Sequence, residues 1–187
     1  MCGTSPTGFI TVFSQVFNSS AGLLNMPRLP LSAPERLAAI AHPRHALLPP
    51  GPVALAMLTG VPLALPGSLF GLRQMLDAAA RERGLSIAPH IEIDGLAMLI
   101  AVLSREPMCT VLPPSAVQQE IDRGELVAHP IVDPEISRKL FVIYSADRRL
   151  TEPERDLVST LQDGLTSART EARPASAQTP CAARPRR

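Results

Sequence analysis

The sequence predicts an α/β protein, and three observations carry this prediction. Segments with strand-like and helix-like patterns alternate from Val61 to Gly164. The chain has 187 residues and is 45% hydrophobic, so it can enclose one core or the cores of two small lobes. Capping residues and glycines separate the apolar runs. Such alternation is typical of parallel or mixed sheets covered by helices.

The first sixty residues give weaker signals. Phe9–Phe17 is apolar and β-prone and can form one strand or two short ones, whereas Ser19–Pro30 has the composition of a loop. Arg36–Ala41 is a candidate buried strand. His42–Pro52 contains four prolines and is predicted as a loop, and Val53–Leu58 as a short helix.

The signals become clearer from residue 61. The apolar run Val61–Leu65 predicts a strand, which a Pro-Gly pair stops. Ser68 follows and is predicted to cap a helix that Gly84 ends. Arg73 and Asp77 form an i,i+4 pair that we place on the exposed side of this helix.

The remaining segments continue the alternation. Asp94 is a predicted cap, and capping boxes that begin at Ser115 and Thr151 predict two more helices, ended by Gly124 and Gly164. The segments, in order, are the strand Ser86–Ile93, the helix Gly95–Ser104, the strand Cys109–Leu112, the helix that begins at Ser115, the strands Leu126–Ile131 and Lys139–Tyr144, and the helix that begins at Thr151.

Composition excludes several classes of protein. The net charge is +1 and there is no tryptophan, which argues against a basic nucleic-acid module or a stacking platform for single strands. The sequence contains no run of eighteen apolar residues, so no membrane span is predicted. Cys2, Cys109 and Cys181 are odd in number and far apart, so we expect neither disulfides nor zinc, and a cytoplasmic location. Residues 166–187 are rich in Arg, Pro and Ala and are predicted to be a disordered tail.

The sequence contains no coherent catalytic set. His42 and His45 have a metal-like spacing but lack a third ligand nearby, and no nucleophile elbow, P-loop or dinucleotide fingerprint is present. We therefore expect no enzyme, metal or cofactor. Ser68 leaves two interpretations open: it is a plain helix cap, or it forms a cradle for a small anion with the backbone amides of Leu69 and Phe70.

Five segments carry a recognisable order of motifs. They are ERLAAIAHPRHALLPPGPVALAML (35–58), VPLALPGSLFGLRQMLDAAARERGL (61–85), IEIDGLAMLIAVL (91–103), TVLPPSAVQQEIDRGELVAHPIVDP (110–134) and RKLFVIYSADRRLTEPERDLV (138–158). Their order resembles the effector-binding domain of LysR-type transcriptional regulators. The resemblance covers about residues 28–165, and no motif is decisive alone.

This resemblance implies a two-lobe fold like that of type II periplasmic binding proteins. Lobe one would comprise about residues 28–60 and 131–165, and lobe two about 61–130. A small anionic effector would bind in the cleft between the lobes, and the cradle interpretation of Ser68 then becomes the preferred one. The implied effector-binding residues are Pro66, Gly67, Ser68, Leu69, Phe70, Thr110 and His129.

Three departures from the family pattern qualify the resemblance. The winged helix-turn-helix is missing, so DNA would be bound only through a domain absent from this chain. Residues 1–27 diverge, which implies an incomplete first lobe. Arg105–Met108 stands where the family has a glycine turn. The implied function is ligand sensing, with a homodimer or a full-length regulator as partner; the alternatives are a ligand-free dimerisation or modulator module, or a non-functional truncated regulator.

Overall fold

The structure is a computed structural model that describes residues 10–15, 27–144 and 149–171, with side chains for 27–144 and 149–165. The strands are β1 (Ile10–Gln15), β2 (Arg28–Pro30), β3 (Glu35–Arg36), β4 (Ala38–Ala41), β5 (Val53–Ala54), β6 (Ala64–Leu65), β7 (Ile91–Glu92), β8 (Cys109–Leu112), β9 (Val127–Asp133) and β10 (Ser137–Tyr144). The α-helices are α1 (Gly71–Glu82), α2 (Leu96–Leu103), α3 (Gln118–Asp122) and α4 (Glu152–Glu171). Short 3-10 helices span Pro43–His45, Leu55–Gly60 and Pro114–Val117. The prediction of an α/β protein is confirmed.

The larger core surrounds a sheet in the order β5-β9-β4-β8. Strand β4 lies between β8 and β9 and is antiparallel to both, and all four of its residues are buried. Three of its four residues are alanine, and their small side chains allow helices to approach the sheet closely. Helix α1 and the 3-10 helix Leu55–Gly60 cover one face, whereas α2 and α3 cover the other. A strand that is covered on both faces is apolar along its length, and β4 has this pattern.

Strands β6 and β7 pair in parallel beside this sheet. A bridge between Leu63 and Cys109 joins them to β8. The predicted strands Val61–Leu65 and Ser86–Ile93 are therefore present but shorter, because only their ends pair.

The second sheet has the order β1-β10-β2, with β3 also paired to β10. Strand β1 is antiparallel to β10, and Ile10 lies opposite Tyr144. Helix α4 covers this sheet through a small cluster that contains Leu31, Val142 and Val158. Of the segment Phe9–Phe17, residues 10–15 form a single strand, and the rest lies outside the described residues.

Two chain connections cross between the sheets, one from β3 to β4 and one from β9 to β10. They lie side by side: the Leu37 amide donates to the Ile136 carbonyl at 2.8 Å, and the Leu37 carbonyl accepts from the Ile131 amide at 3.5 Å. Strands β4 and β5 belong to the same sheet as β8 and β9, so residues 38–54 lie with the segment expected as lobe two and not with residues 28–36.

The predicted C-terminal glycines of two helices are confirmed. Gly84 follows α1 with a φ of 66°, and Gly124 follows α3 with a φ of 70°, the left-handed conformation that glycine adopts without steric cost. After α1, the Leu85 amide donates to the Ala80 carbonyl, which completes the Schellman pattern. The expected stop at Gly164 is wrong, because α4 continues through it to Glu171, into the segment predicted as a tail.

Two predicted helix starts also need correction. The Ser115 hydroxyl donates to Glu35 Oε1 at 3.1 Å, so Ser115 joins a buried carboxylate near β3 instead of capping a helix. Its capping box fails because a 3-10 turn, not α3, begins there. The box at Thr151 holds: the Thr151 amide donates to Glu154 Oε2 at 2.8 Å.

Candidate ligand-binding loop

The loop of residues 66–70, here called the ligand loop, follows β6 directly. Parallel strands end at the same edge of a sheet, so this loop lies next to the segment after β7. A hydrogen bond joins the two segments: the Gly67 amide donates to Asp94 Oδ1 at 2.9 Å. The carboxyl edge of parallel strands is where open α/β sheets bind ligands.

Gly67 allows this close approach because it lacks a side chain. A Cβ atom at this position would lie 3.2 Å from Asp94 Oδ1, which is tighter than an ordinary van der Waals contact. The Pro-Gly pair that the sequence identifies as a strand stop therefore also makes room for a carboxylate.

The predicted cap at Ser68 is wrong. Helix α1 begins three residues later, at Gly71, with Phe70 in the N-cap position and no side-chain cap. The Phe70 amide donates to the Gly67 carbonyl at 3.0 Å, so it is not free for an anion as the cradle interpretation required. Ser68 and Leu69 are exposed in the turn that this bond closes.

Asp94 also differs from its predicted role. Gly95, not Asp94, is the N-cap residue of α2, and no side chain caps this helix. The Asp94 carboxylate instead reaches across to the ligand loop. The sequence shows an acidic residue before an apolar helix, which is the ordinary sign of a cap, so its long-range partner could not be predicted.

Arg73 anchors the start of the ligand loop through the Pro66 carbonyl. Its guanidinium contacts three oxygen-bearing groups: Nε bonds Asp77 at 3.0 Å, and Nη1 lies 3.2 Å from Glu92 Oε1 and 3.4 Å from the Pro66 carbonyl. The Arg73 side chain is only 9% exposed, which corrects the prediction of a solvent-facing pair. A buried arginine needs such partners because an unpaired buried charge is costly.

The charges around the ligand loop are mainly negative. Three carboxylates (Asp77, Glu92 and Asp94) lie within this network, against the one guanidinium of Arg73. The contacts within the described chain therefore give no support to an anionic effector at this position, and its charge stays a prediction.

Apolar side chains flank the Gly67–Asp94 hydrogen bond and face solvent. Leu69 is 89% exposed and Met98 is 62% exposed, and Phe70 and Leu96 are each a little under half exposed. These side chains form the apolar part of the surface beside the ligand loop.

The structure does not bring all predicted site residues together. Thr110 lies opposite Ile40, whereas His129 lies opposite Ala39, the preceding residue of β4. Successive residues of a strand point to opposite faces, so Thr110 and His129 face opposite sides of the sheet. Both side chains are buried, whereas the turn of the ligand loop is exposed.

His129 and Thr110 also differ in their hydrogen-bond contacts. His129 Nδ1 lies 3.3 Å from the Gly51 carbonyl and so connects β9 to the proline-rich loop. The Thr110 hydroxyl is buried and has no hydrogen-bond partner within residues 27–144 and 149–165. A single unsatisfied hydroxyl in a core is a cost in stability.

Cys109 is buried beside Thr110. Burial raises the pKa of its thiol to about 12, and the Sγ atom lies 3.5 Å from the Thr110 carbonyl. A thiol with so high a pKa is not a thiolate at neutral pH and is a poor nucleophile.

The described residues contain neither a candidate metal cluster nor a helix suited to cross a membrane. No group of three or more His, Cys, Asp and Glu side chains within them could hold a metal ion. None of their helices combines the length and the apolar character that a membrane crossing requires.

The segment that stands in place of the family's glycine turn folds without positive φ angles. The Arg105 and Glu106 amides both donate to the Val102 carbonyl, and the Met108 amide donates to the Glu106 carbonyl at 2.7 Å. The chain thus reverses between α2 and β8 by extending the helix end, and residues 105–108 all have negative φ. The absence of glycine here does not prevent the turn.

A family pattern described as the LysR substrate binding domain matches residues 27–166. Among solved structures, HinK, a LysR family transcriptional regulator from Pseudomonas aeruginosa, has a TM-score of 0.65 at 18% identity and covers 82% of this chain and 53% of its own. A cysteine-to-serine mutant of OxyR from Corynebacterium glutamicum with H2O2 bound has a TM-score of 0.68 at 20% identity, over 86% of this chain and 51% of its own.

The CcmR regulatory domain from Synechocystis, in complex with 2-PG, has a TM-score of 0.69 at 15% identity and covers 83% of this chain and 72% of its own. The chain spans about half the length of HinK and of OxyR. A search of the curated proteins finds no match. At these identities the likenesses establish the fold, and they confirm the predicted type II periplasmic-binding-protein-like architecture.

Proposed function

Because the chain belongs to the family of LysR substrate-binding domains, we propose that it is the effector-binding domain of a LysR-type regulator and senses a small molecule without turnover. The carrying observation is the family pattern, which runs through the described fold and includes the ligand loop. The domain would comprise about residues 28–165. A cytoplasmic location, and pairing with a second copy or with a full-length regulator, belong to this proposal.

The ligand loop is the part of the surface that we propose as the effector site. It lies at the carboxyl edge of parallel strands, it presents exposed polar and apolar groups, and Arg73 fixes its base. Thr110 and His129 remain predicted members of the site, and because their side chains face opposite sides of the sheet, at most one of them contacts the same ligand as the loop.

A thermal-shift screen tests this proposal. Purified chain is melted with small carboxylates, aromatic acids, amino acids and amines, since a ligand that binds only the folded state raises the melting temperature. A shift confined to one chemical class supports the proposed function. A cooperative melt that no compound shifts contradicts it and favours a ligand-free partner module.

Ser68→Ala locates the binding. Ser68 is exposed, so the substitution spares the fold, and the loss of a charge-assisted hydrogen bond to a ligand weakens affinity by about 1 to 3 kcal/mol. Ser86→Ala, also at an exposed serine, is the matched control and leaves the affinity unchanged. Equal affinities for the two variants in calorimetry remove Ser68 from the site.

A further inference from the structure

We propose that the Asp94 carboxylate is an internal occupant of the ligand loop: it holds the Gly67 amide that an anionic effector would otherwise bind. Asp94 thereby determines the charge of ligand that the loop accepts. The inference rests on the proposed function, because it concerns the ligand class of the same loop.

The first support is the direction in which Asp94 points. An aspartate one residue before the N-cap has the free amides of its own helix close by, yet α2 has no side-chain cap. The carboxylate instead accepts from the Gly67 amide at 2.9 Å, across 27 residues of sequence. A carboxylate on a loop amide reproduces the contact that the carboxylate of a bound acid would make.

The second support is the fit between the two residues. A Cβ atom at residue 67 would lie 3.2 Å from Asp94 Oδ1, so the contact depends on glycine. Asp94 is exposed, and a hydrogen bond in water contributes only about 1 kcal/mol net. The carboxylate can therefore be displaced, although it competes with any ligand for this amide.

The third support is electrostatic. With Asp94 in place, an incoming anion meets an occupied amide and also the charges of Asp77 and Glu92, which Arg73 only partly offsets. Occupancy and repulsion are different effects, and two substitutions separate them. Asp94→Asn removes the charge but keeps an acceptor for the Gly67 amide, whereas Asp94→Ala removes both.

The experiment is a calorimetric titration of benzoate and acetate into the wild-type chain and the variants, repeated by following the Gly67 amide in NMR spectra. We expect Asp94→Ala to bind benzoate about tenfold more tightly than the wild type or better, as one charge-assisted hydrogen bond implies. We expect Asp94→Asn to fall between them. Asp163→Ala removes an exposed carboxylate from α4, the helix that covers the second sheet, and is expected to match the wild type.

Two results overturn the inference. Equal affinities of Asp94→Asn and Asp94→Ala mean that charge alone matters, and no gain in Asp94→Ala means that the freed amide is not an anion site. If Asp94→Ala loses its cooperative melt, Asp94→Ser replaces it, because serine removes the carboxylate but keeps a polar side chain at this exposed position.

The outcomes also distinguish this inference from the proposed function. If compounds shift the melting of the wild type but Asp94→Ala gains no affinity for carboxylates, the inference fails and the proposed function stands. If no compound acts on the wild type but Asp94→Ala binds benzoate at the Gly67 amide, the inference stands and the proposed function fails.

Discussion

Replacement of Arg73 by methionine tests how the ligand loop is anchored. Breaking a fully buried ion pair costs about 3 to 5 kcal/mol. Here the partners Asp77 and Glu92 are 29% and 53% exposed, so solvent screens them, and we expect a loss of about 2 kcal/mol in the free energy of unfolding. Methionine retains the apolar stem, so the loss reports the guanidinium contacts and not the packing.

Urea unfolding followed by far-UV circular dichroism is the suitable assay, because the chain has no tryptophan. Arg123→Met is the matched control: Arg123 also pairs with two carboxylates, but it is exposed, so its removal should cost much less. Adding Glu92→Gln to Arg73→Met should restore part of the stability by removing a carboxylate left without its cation. The reasoning is refuted if Arg73→Met costs no more than Arg123→Met, or if Glu92→Gln restores nothing.

Two further predictions concern the fold. Gly84→Ala should lower the free energy of unfolding by about 1 to 2 kcal/mol, because Gly84 has a φ of 66° that a Cβ disfavours. Gly60→Ala is the control and should be nearly neutral, because Gly60 is equally open but has no positive φ. Equal losses of stability in urea unfolding would contradict the conformational argument. In a chain with Cys2→Ser and Cys181→Ser, Cys109 is the remaining thiol. It should resist Ellman's reagent at pH 8 until urea unfolds the protein, because Cys109 is buried and burial raises its pKa to about 12. Rapid reaction of the native chain would show that the thiol is accessible.

The sequence could predict those features that depend on neighbouring residues. The α/β class follows from alternating patterns, and Gly84 and Gly124 end their helices because their local backbone conformation requires glycine. Thr151 and Glu154 form their half of a capping box for the same reason. Such features need no knowledge of what the chain meets elsewhere in the fold.

The candidate site was predicted less well because its contacts connect distant segments. Asp94 and Ser115 both have the sequence context of helix caps, but Asp94 bonds Gly67 and Ser115 bonds Glu35. Arg73 has the spacing of a surface ion pair, and only the arrival of Glu92 and the Pro66 carbonyl makes it a buried anchor. A side chain that fits a local sequence rule can gain more stability from a partner that is distant in sequence.

The position of β1 has a consequence for how the chain is made. Gln15 lies opposite Lys139, so β1 and β10, the first and last strands of the described residues, pair with each other. During synthesis β1 stays unpaired until β10 has emerged more than a hundred residues later, and pairings between distant segments close slowly. An unpaired strand edge can recruit other chains in that interval. The yield of soluble protein should therefore depend on translation speed and on chaperone supply.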